Sequence, residues 1–324
     1  MNKTIVNNSV FYFIKVELSL HHFLPRNMLT IDTSITKNPK LHHYLLGAVG
    51  PRPICFASTV DKDGNRNLAP FSFFNVFSSN PPIAVFSPAN SGRTGQQKDT
   101  LLNVMEVPEV VINIVNYDVV HQMSLSSSPY EKDVDEFVKS GLTPIDSESV
   151  RPARVKECPV QMECKVIEIK ALGEGGGAGN LVICEVLKIH INNEVLDAND
   201  MIDQKKIDLV ARMGGNWYCR ADENSMFEIK KPITTKGIGV DQIPVEIIAS
   251  GDFSPNELGQ LGGIEVLPDE TTVNDFRLLE LSDVFIELED DAVKLEKELN
   301  KMAKQYLATE NIEEAWMTLL AFNN

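Results

Sequence analysis

Three stretches of this chain concentrate side chains that could hold a ligand. The first, Asn67-Leu68-Ala69-Pro70-Phe71-Ser72-Phe73-Phe74-Asn75, sets small, aromatic and hydroxyl residues on one strand-like segment. Such a surface can lie along a flat ring while backbone groups meet the ring's polar edge. The second, from Ser87 to Thr100, offers Ser87, Ser91, Arg93, Thr94, Lys98 and Thr100 and then opens a helix. Cations, hydroxyls and a helix N-terminus together suit a phosphate. In the third, Arg212-Met213-Gly214-Gly215-Asn216-Trp217-Tyr218, the glycines allow close approach and an aromatic pair follows. Read alone, each has a plain alternative: a barrel core strand, a solvated loop before a capped helix, and a turn that packs a tryptophan.

Protein-borne catalytic groups are harder to find. The chain has no G-x-S-x-G elbow, no H-E-x-x-H and no G-x-x-x-x-G-K-[ST]. The run GEGGGAGN at 173–180 misses G-x-G-x-x-G in every register, and it joins strand to strand where a dinucleotide fingerprint joins strand to helix. No catalytic residue is assigned, and an enzyme built this way takes its chemistry from a cofactor. A metal site is not expected either. The five cysteines (Cys55, Cys158, Cys164, Cys184, Cys219) form no C-x-x-C pair, and His21–His22 and His42–His43 are adjacent rather than four apart. An odd set of thiols reads as free cysteines in a reducing compartment, hence a cytoplasmic protein.

The elements that must position these segments are mainly β with some α. Strands are expected at Pro53–Val60, Leu68–Ser78, Ile83–Phe86 and Val110–Val115. A long hairpin is expected from Val160–Leu172 and Leu181–Ile191, with Gly173–Gly179 as its flexible tip. Helices are expected from Asp99-Thr100 toward Glu106, and from Tyr130 to Lys139 with Gly141 as a stop. Many strands, few helices and no βαβ alternation favour a barrel over a doubly wound sheet.

Charge divides the chain. Of 324 residues, 46 are acidic and 30 basic, a net of −16, which sets aside nucleic acid and anionic membranes as partners. From 241 onward there are 19 acidic and 5 basic residues, whereas the first 240 hold 27 and 25. That step marks an acidic C-terminal region, 233–324. Within it Gly237–Gln242 and Asn256–Pro268 read as irregular. Leu295, Leu299, Met302 and Tyr306, then Ile312, Ala315, Trp316, Leu319 and Leu320, form two helical stripes around Thr309-Glu310-Asn311. The reading is a helical hairpin that packs on the barrel or a partner subunit, or offers a docking surface for a redox partner. Residues 1–28 read as an N-terminal extension. Its apolar stretch Val10–Leu24 is interrupted by Lys15 and Glu17 and is too short to span a bilayer.

Pro51-Arg52-Pro53-Ile54, the Asp63-Gly64 turn, Asn67–Asn75, Pro81-Pro82, Lys98-Asp99-Thr100 with Asn103, and Arg212–Tyr218 occur in an order and spacing that resemble the flavin reductase-like family, flavoredoxin-type branch. The likeness covers about residues 29–232. It implies an FMN-binding split β-barrel, homodimeric, with FMN near the subunit interface. Carried over by position, Ala69, Pro70, Phe71, Ser72, Phe73 and Phe74 would line the isoalloxazine, with Ala69, Ser72 and Phe73 closest. Ser58 and Thr59 would sit near the ribityl or phosphate end. Ser87, Arg93, Lys98 and Thr100, with Asp99 and Asn103 in the same motif, would form the phosphate end. Arg212 and Trp217 would close the site. The implied function is flavin reduction by NAD(P)H through hydride transfer to flavin N5. Alternatives are an FMN-bound electron carrier serving a partner protein, and a non-catalytic flavin-binding module.

Overall fold

The computed structural model describes residues 28–132 and 134–322. The apolar stretch Val10–Leu24, the pair His21–His22 and nearly all of the expected N-terminal extension lie outside them. The chain divides into two compact units, one spanning Thr30–Glu228 and the other built on Ile229–Asn324.

The first unit opens with helix α1 (Lys40–Ala48). Strand β1 (Cys55–Val60) then turns into β2 (Arg66–Phe71) through Asp61–Asn65. The Asp61 carboxylate accepts from the backbone N–H of Asp63 (3.0 Å) and Asn65 (2.9 Å) while Gly64 adopts φ +87°, so this turn is set by its own side chains. Next come β3 (Phe74–Ser79), β4 (Pro82–Phe86), α2 (Asp99–Glu106), β5 (Glu109–Ile114), α3 (Val120–Ser126) and α4 (Glu136–Ser140). Two-residue strands β6 (Pro144–Ile145) and β7 (Arg154–Val155) precede the long hairpin β8 (Val160–Ala171) and β9 (Asn180–Ile191). A short pair, β10 (Val210–Arg212) and β11 (Tyr218–Arg220), closes the unit.

The main sheet is antiparallel, with order β2-β1-β5-β8-β9-β4-β3. It curls around a core of Cys55, Ala57, Ala84, Phe86, Leu101, Ile112, Cys164, Val182 and Cys184. A second cluster of Ile54, Phe56, Leu68, Met123, Phe137, Val155 and Val210 covers the opposite face of β1 and β2. Strand β1 is therefore buried on both faces, which is why its sequence is apolar almost throughout. The thiols of Cys55, Cys158, Cys164 and Cys184 are all buried, and burial pushes the Cys184 thiol up to about 12.

Several expectations change. The aromatic run 68–78 is two strands, broken at Ser72-Phe73, because β2 and β3 occupy opposite edges of the sheet. The helix expected over 130–139 begins only at Glu136, where Asp135 caps it by accepting from Phe137 N (2.9 Å), and Gly141 ends it at φ +66°. Helices α1 and α3 were not expected: neither has a side-chain cap at its N-terminus, and α1 has no buried residue to leave a stripe. The glycine run is not a loose tip. A Cβ on Gly176 would lie 3.0 Å from Ser91 O, and one on Gly179 would lie 2.7 Å from Ser87 Oγ. These glycines let the β8–β9 hairpin press against the segment that follows β4.

The second unit is helical: α5 (Val245–Ala249), α6 (Pro255–Leu261), α7 (Glu270–Glu280), α8 (Ser282–Glu287), α9 (Ala292–Ala308) and α10 (Ile312–Leu320). Helix α6 replaces the irregular stretch expected there. Ser254 and Glu257 form a capping box and Pro255 takes the first helical position. The α9–α10 hairpin turns at Thr309-Glu310-Asn311 as expected, with Glu310 at φ +61°. Its stripes are used within its own unit: Leu307, Ala315, Trp316 and Leu319 pack with Ile243, Phe253 and Leu261. No helix among the described residues is long and apolar enough to cross a membrane.

Trp316 is wholly buried and donates Nε1–H to Leu261 O at 2.9 Å. Trp316→Ala is expected to lower the unfolding free energy of the helical unit by about 3–5 kcal/mol, measured as an earlier loss of helical circular dichroism in urea.

Candidate functional site

The β1–β2 pairing decides which of the expected site residues can meet. Residues on a strand alternate between faces, and Cys55 pairs with Phe71, Ala57 with Ala69, and Thr59 with Asn67. Ala69 and Phe71 therefore share the face of β1's core residues, and Phe71 packs against that core. Pro70 and Ser72 fall on the other face. Ser58 and Thr59, expected side by side near the ribityl or phosphate end, point in opposite directions for the same reason.

Thr59, Thr100 and Asn103 are turned inward. Asn103 Nδ2 donates to Thr59 Oγ1 at 3.2 Å, and Thr100 Oγ1 donates to Asn67 Oδ1 at 2.7 Å. Asn67 Nδ2 donates to Glu136 Oε1 at 3.2 Å, and the Leu68 backbone N–H donates to Glu136 Oε2 at 3.0 Å. This buried network ties β1 and β2 to the first turn of α2 and to α4. Burial raises the Glu136 carboxyl above its ordinary value, against the hydrogen bonds that favour its charged form. Ser58 is also buried, and its hydroxyl has no hydrogen-bond partner among the described residues.

A cavity of about 210 Å³ is lined by Ile54, Pro70, Ser72, Met123, Ser127, Arg212 and Tyr218, with Phe71 reaching its edge from the core side. The first and third of the segments singled out in the sequence meet there. Arg212 stacks over the Tyr218 ring, 4.5 Å from its centroid. The intervening turn bends at Gly215 (φ +59°), and a Cβ on Gly214 would come within 3.1 Å of Gly47 Cα. Trp217 stands outside the cavity at 77% exposure, and Tyr218 takes the lining position. Tyr218, Met123 and Ser127 were not among the expected site residues. Met123 lies on α3 and Ser127 caps its C-terminus, and the weak sequence signal of that helix hid both.

Arg52 braces this wall. It is 5% exposed. Its backbone N–H donates to Arg212 O (3.0 Å), and Arg212 N donates back to Arg52 O (2.8 Å). Its guanidinium donates to Leu46 O (2.8 Å) and Val49 O at the end of α1, to Met213 O (2.9 Å), and to Ser72 Oγ (3.4 Å). Burial first, and the Arg212 charge second, pull it below the ordinary arginine value.

The second segment is held separately. Ser87 N donates to Phe73 O at 2.8 Å, and Asn180 Nδ2 donates to Pro88 O and to Asn90 Oδ1, both at 3.0 Å. Beyond this anchored part, Arg93 and Lys98 are exposed, and Lys98 sits at the N-cap of α2. None of the residues 87–100 lines the cavity. No group of three or more His, Cys, Asp or Glu side chains among the described residues is placed to hold a metal ion.

The curled antiparallel sheet has known counterparts. The description "flavin reductase like domain" matches residues 49–207. A protein of Aquifex aeolicus is 36% identical over 186 residues, covering 57% of this chain and 92% of the relative. Nitrilotriacetate monooxygenase component B from Bacillus cereus superposes with a TM-score of 0.59 at 29% identity, covering 63% of this chain and 100% of that one. A Shewanella frigidimarina protein with a split barrel domain gives 0.53 at 24% identity, over 63% of this chain and 100% of its own. The fold is thus a split barrel. The chain belongs to the flavin reductase-like family, and with that family goes a flavin-related oxidoreductase function.

Because Glu136 holds its proton longer when folded than when unfolded, unfolding free energy falls as pH rises from the ordinary glutamate value through the raised one. Glu136→Gln keeps an acceptor for Leu68 N and is expected to remove this component, read in urea denaturation curves between roughly pH 4 and pH 7.

Proposed function

We propose that this protein binds FMN and reduces flavin with NAD(P)H, as a cytoplasmic homodimer. The observation that carries the reading is the cavity formed by Pro70, Phe71, Ser72, Arg212 and Tyr218. Its donor set fits a flavin: an apolar strand surface for a flat ring, a hydroxyl at Ser72, and a cation at Arg212 for the ring's acceptor edge. Ser87, Arg93 and Lys98 are assigned to the phosphate. Thr100 contributes through the first turn of α2, since its hydroxyl already donates to Asn67.

Two features support a second copy at the site. At about 210 Å³ the cavity is smaller than the roughly 300–1,000 Å³ that encloses a ligand of this size, so one chain provides part of the enclosure. The edge strand β3 and its approach expose Phe73 (41%), Val76 (57%) and Phe77 (69%), an apolar strip suited to a partner.

Bound FMN would supply the ring that takes up the hydride. The chain's own task is then to align and to exclude water, which needs no acid or base and accords with the absence of an assigned catalytic residue. Arg212 favours negative charge at the acceptor edge, and Tyr218 and Met123 keep the wall apolar. The Bacillus cereus neighbour is one component of a monooxygenase, which favours a partner protein as recipient of the electrons and keeps the carrier reading in view.

The test is the visible spectrum of the protein with and without FMN, followed by NADH or NADPH. Bound flavin that bleaches on adding the nicotinamide, with oxidation rising as free FMN is added, is the expected result. Bleaching that needs a second protein assigns the carrier role instead, and a protein that takes up no FMN overturns the reading. Lys98→Ala is expected to weaken FMN binding by roughly 1–3 kcal/mol; unchanged affinity removes Lys98 from the phosphate site.

A further inference from the structure

Arg52 is the one buried arginine or lysine among the described residues, and its partners are all neutral. The other buried charges are carboxylates, each satisfied by several donors. Asp61 serves a turn, Glu136 holds the start of β2, and Glu163 accepts from Glu148 N, Ser149 N and His190. A cation buried without a carboxylate is costly to keep. Capping α1 does not explain it, because a neutral donor can satisfy two helix-end carbonyls.

The geometry gives a second task. Leu46 O, Val49 O and Met213 O hold the two terminal nitrogens and lock the guanidinium plane. A plane fixed in this way leaves Nε aimed at Ser72 Oγ, its only side-chain partner among the described residues. A hydroxyl that accepts from Arg52 must point its own proton elsewhere. Ser72 lines the cavity, so the proton is free for an acceptor there. The 3.4 Å separation is long, as such contacts are before a ligand draws the hydroxyl into line.

We propose that Arg52 is a positioning residue: it orients and polarises Ser72 so that the serine hydroxyl donates to a carbonyl or ring-nitrogen acceptor on a flat heteroaromatic ligand in the cavity. The inference rests on the flavin reading and names the donor that selects the ring's orientation. Lysine cannot replace Arg52, because its single nitrogen cannot hold three carbonyls and Ser72 in one plane.

The test is a double-mutant cycle on Ser72→Ala and Arg52→Lys, with FMN affinity and the midpoint potential of bound flavin as readouts. Ser72→Ala is expected to weaken FMN binding about five- to tenfold and to shift the potential. Arg52→Lys should give a similar loss, the double variant should be no worse than the poorer single one, and Ser72→Thr should behave as wild type. Additive losses in the double variant, or a loss in Ser72→Thr equal to that in Ser72→Ala, overturn the proposal. If wild type binds FMN and Ser72→Ala binds it equally well, the positioning role fails and the flavin reading stands; if wild type binds none, the flavin reading itself fails. Should Arg52→Lys not fold, the thiol introduced by Ser72→Cys reports on the same contact. In an Arg212→Gln background its reactivity should titrate below the usual cysteine value of about 8.5, and an ordinary or raised value overturns the proposal.

Discussion

Burial of β1 on both faces is the constraint from which the rest of the barrel unit follows. A strand covered on one side by the barrel core and on the other by α3 and α4 must find partners for the polar groups it carries, and on β1 only the Ser58 hydroxyl goes without one among the described residues. Thr59 finds Asn67 and Asn103; Asn67 in turn finds Thr100 and Glu136. This network fixes the register of β2 against β1, and the register delivers Pro70 and Ser72 to one face and Ala69 and Phe71 to the other. The cavity exists on the side that the pairing assigns to Ser72.

Much of this was legible in the sequence, and the parts that were not share a cause. Strands β1, β4, β5, β8 and β9 announced themselves through β-branched and apolar runs, and Gly141 marked a helix end correctly. The motif order from Pro51 to Tyr218 carried the family. What could not be read was facing. A list of neighbours along Asn67–Phe74 does not say that Ala69 and Phe71 share the face of the barrel core while Pro70 and Ser72 take the other, nor that Thr100 turns its hydroxyl to the interior. Arg52 lay inside a recognised motif, yet its role depends on carbonyls at Leu46, Val49 and Met213, the last of them 161 residues away. Helices without side-chain caps or a buried stripe, such as α1, leave nothing for periodicity to find.

The acidic C-terminal region shows the limit of average charge as a guide. Its hairpin stripes are satisfied within a core of its own, centred on Trp316, and its acidic residues lie largely on helix faces turned to solvent. The net of −16 therefore describes chiefly a solvated helical surface. The barrel unit places Arg52 and Arg212 together beside the cavity, where burial first and the Arg212 charge second disfavour the charged form of Arg52. These cations are little affected by the carboxylates of the C-terminal region, which lie largely in solvent where the dielectric is high.

The buried thiols bear on durability. Cys55, Cys158, Cys164 and Cys184 are withdrawn from solvent, and burial holds each in the protonated form that reacts poorly with peroxides and electrophiles. The cysteine sulfur in the walls of the barrel behaves as inert packing, so among the cysteines Cys219 is the one left open to oxidation, alongside the exposed thioethers of Met105 and Met201.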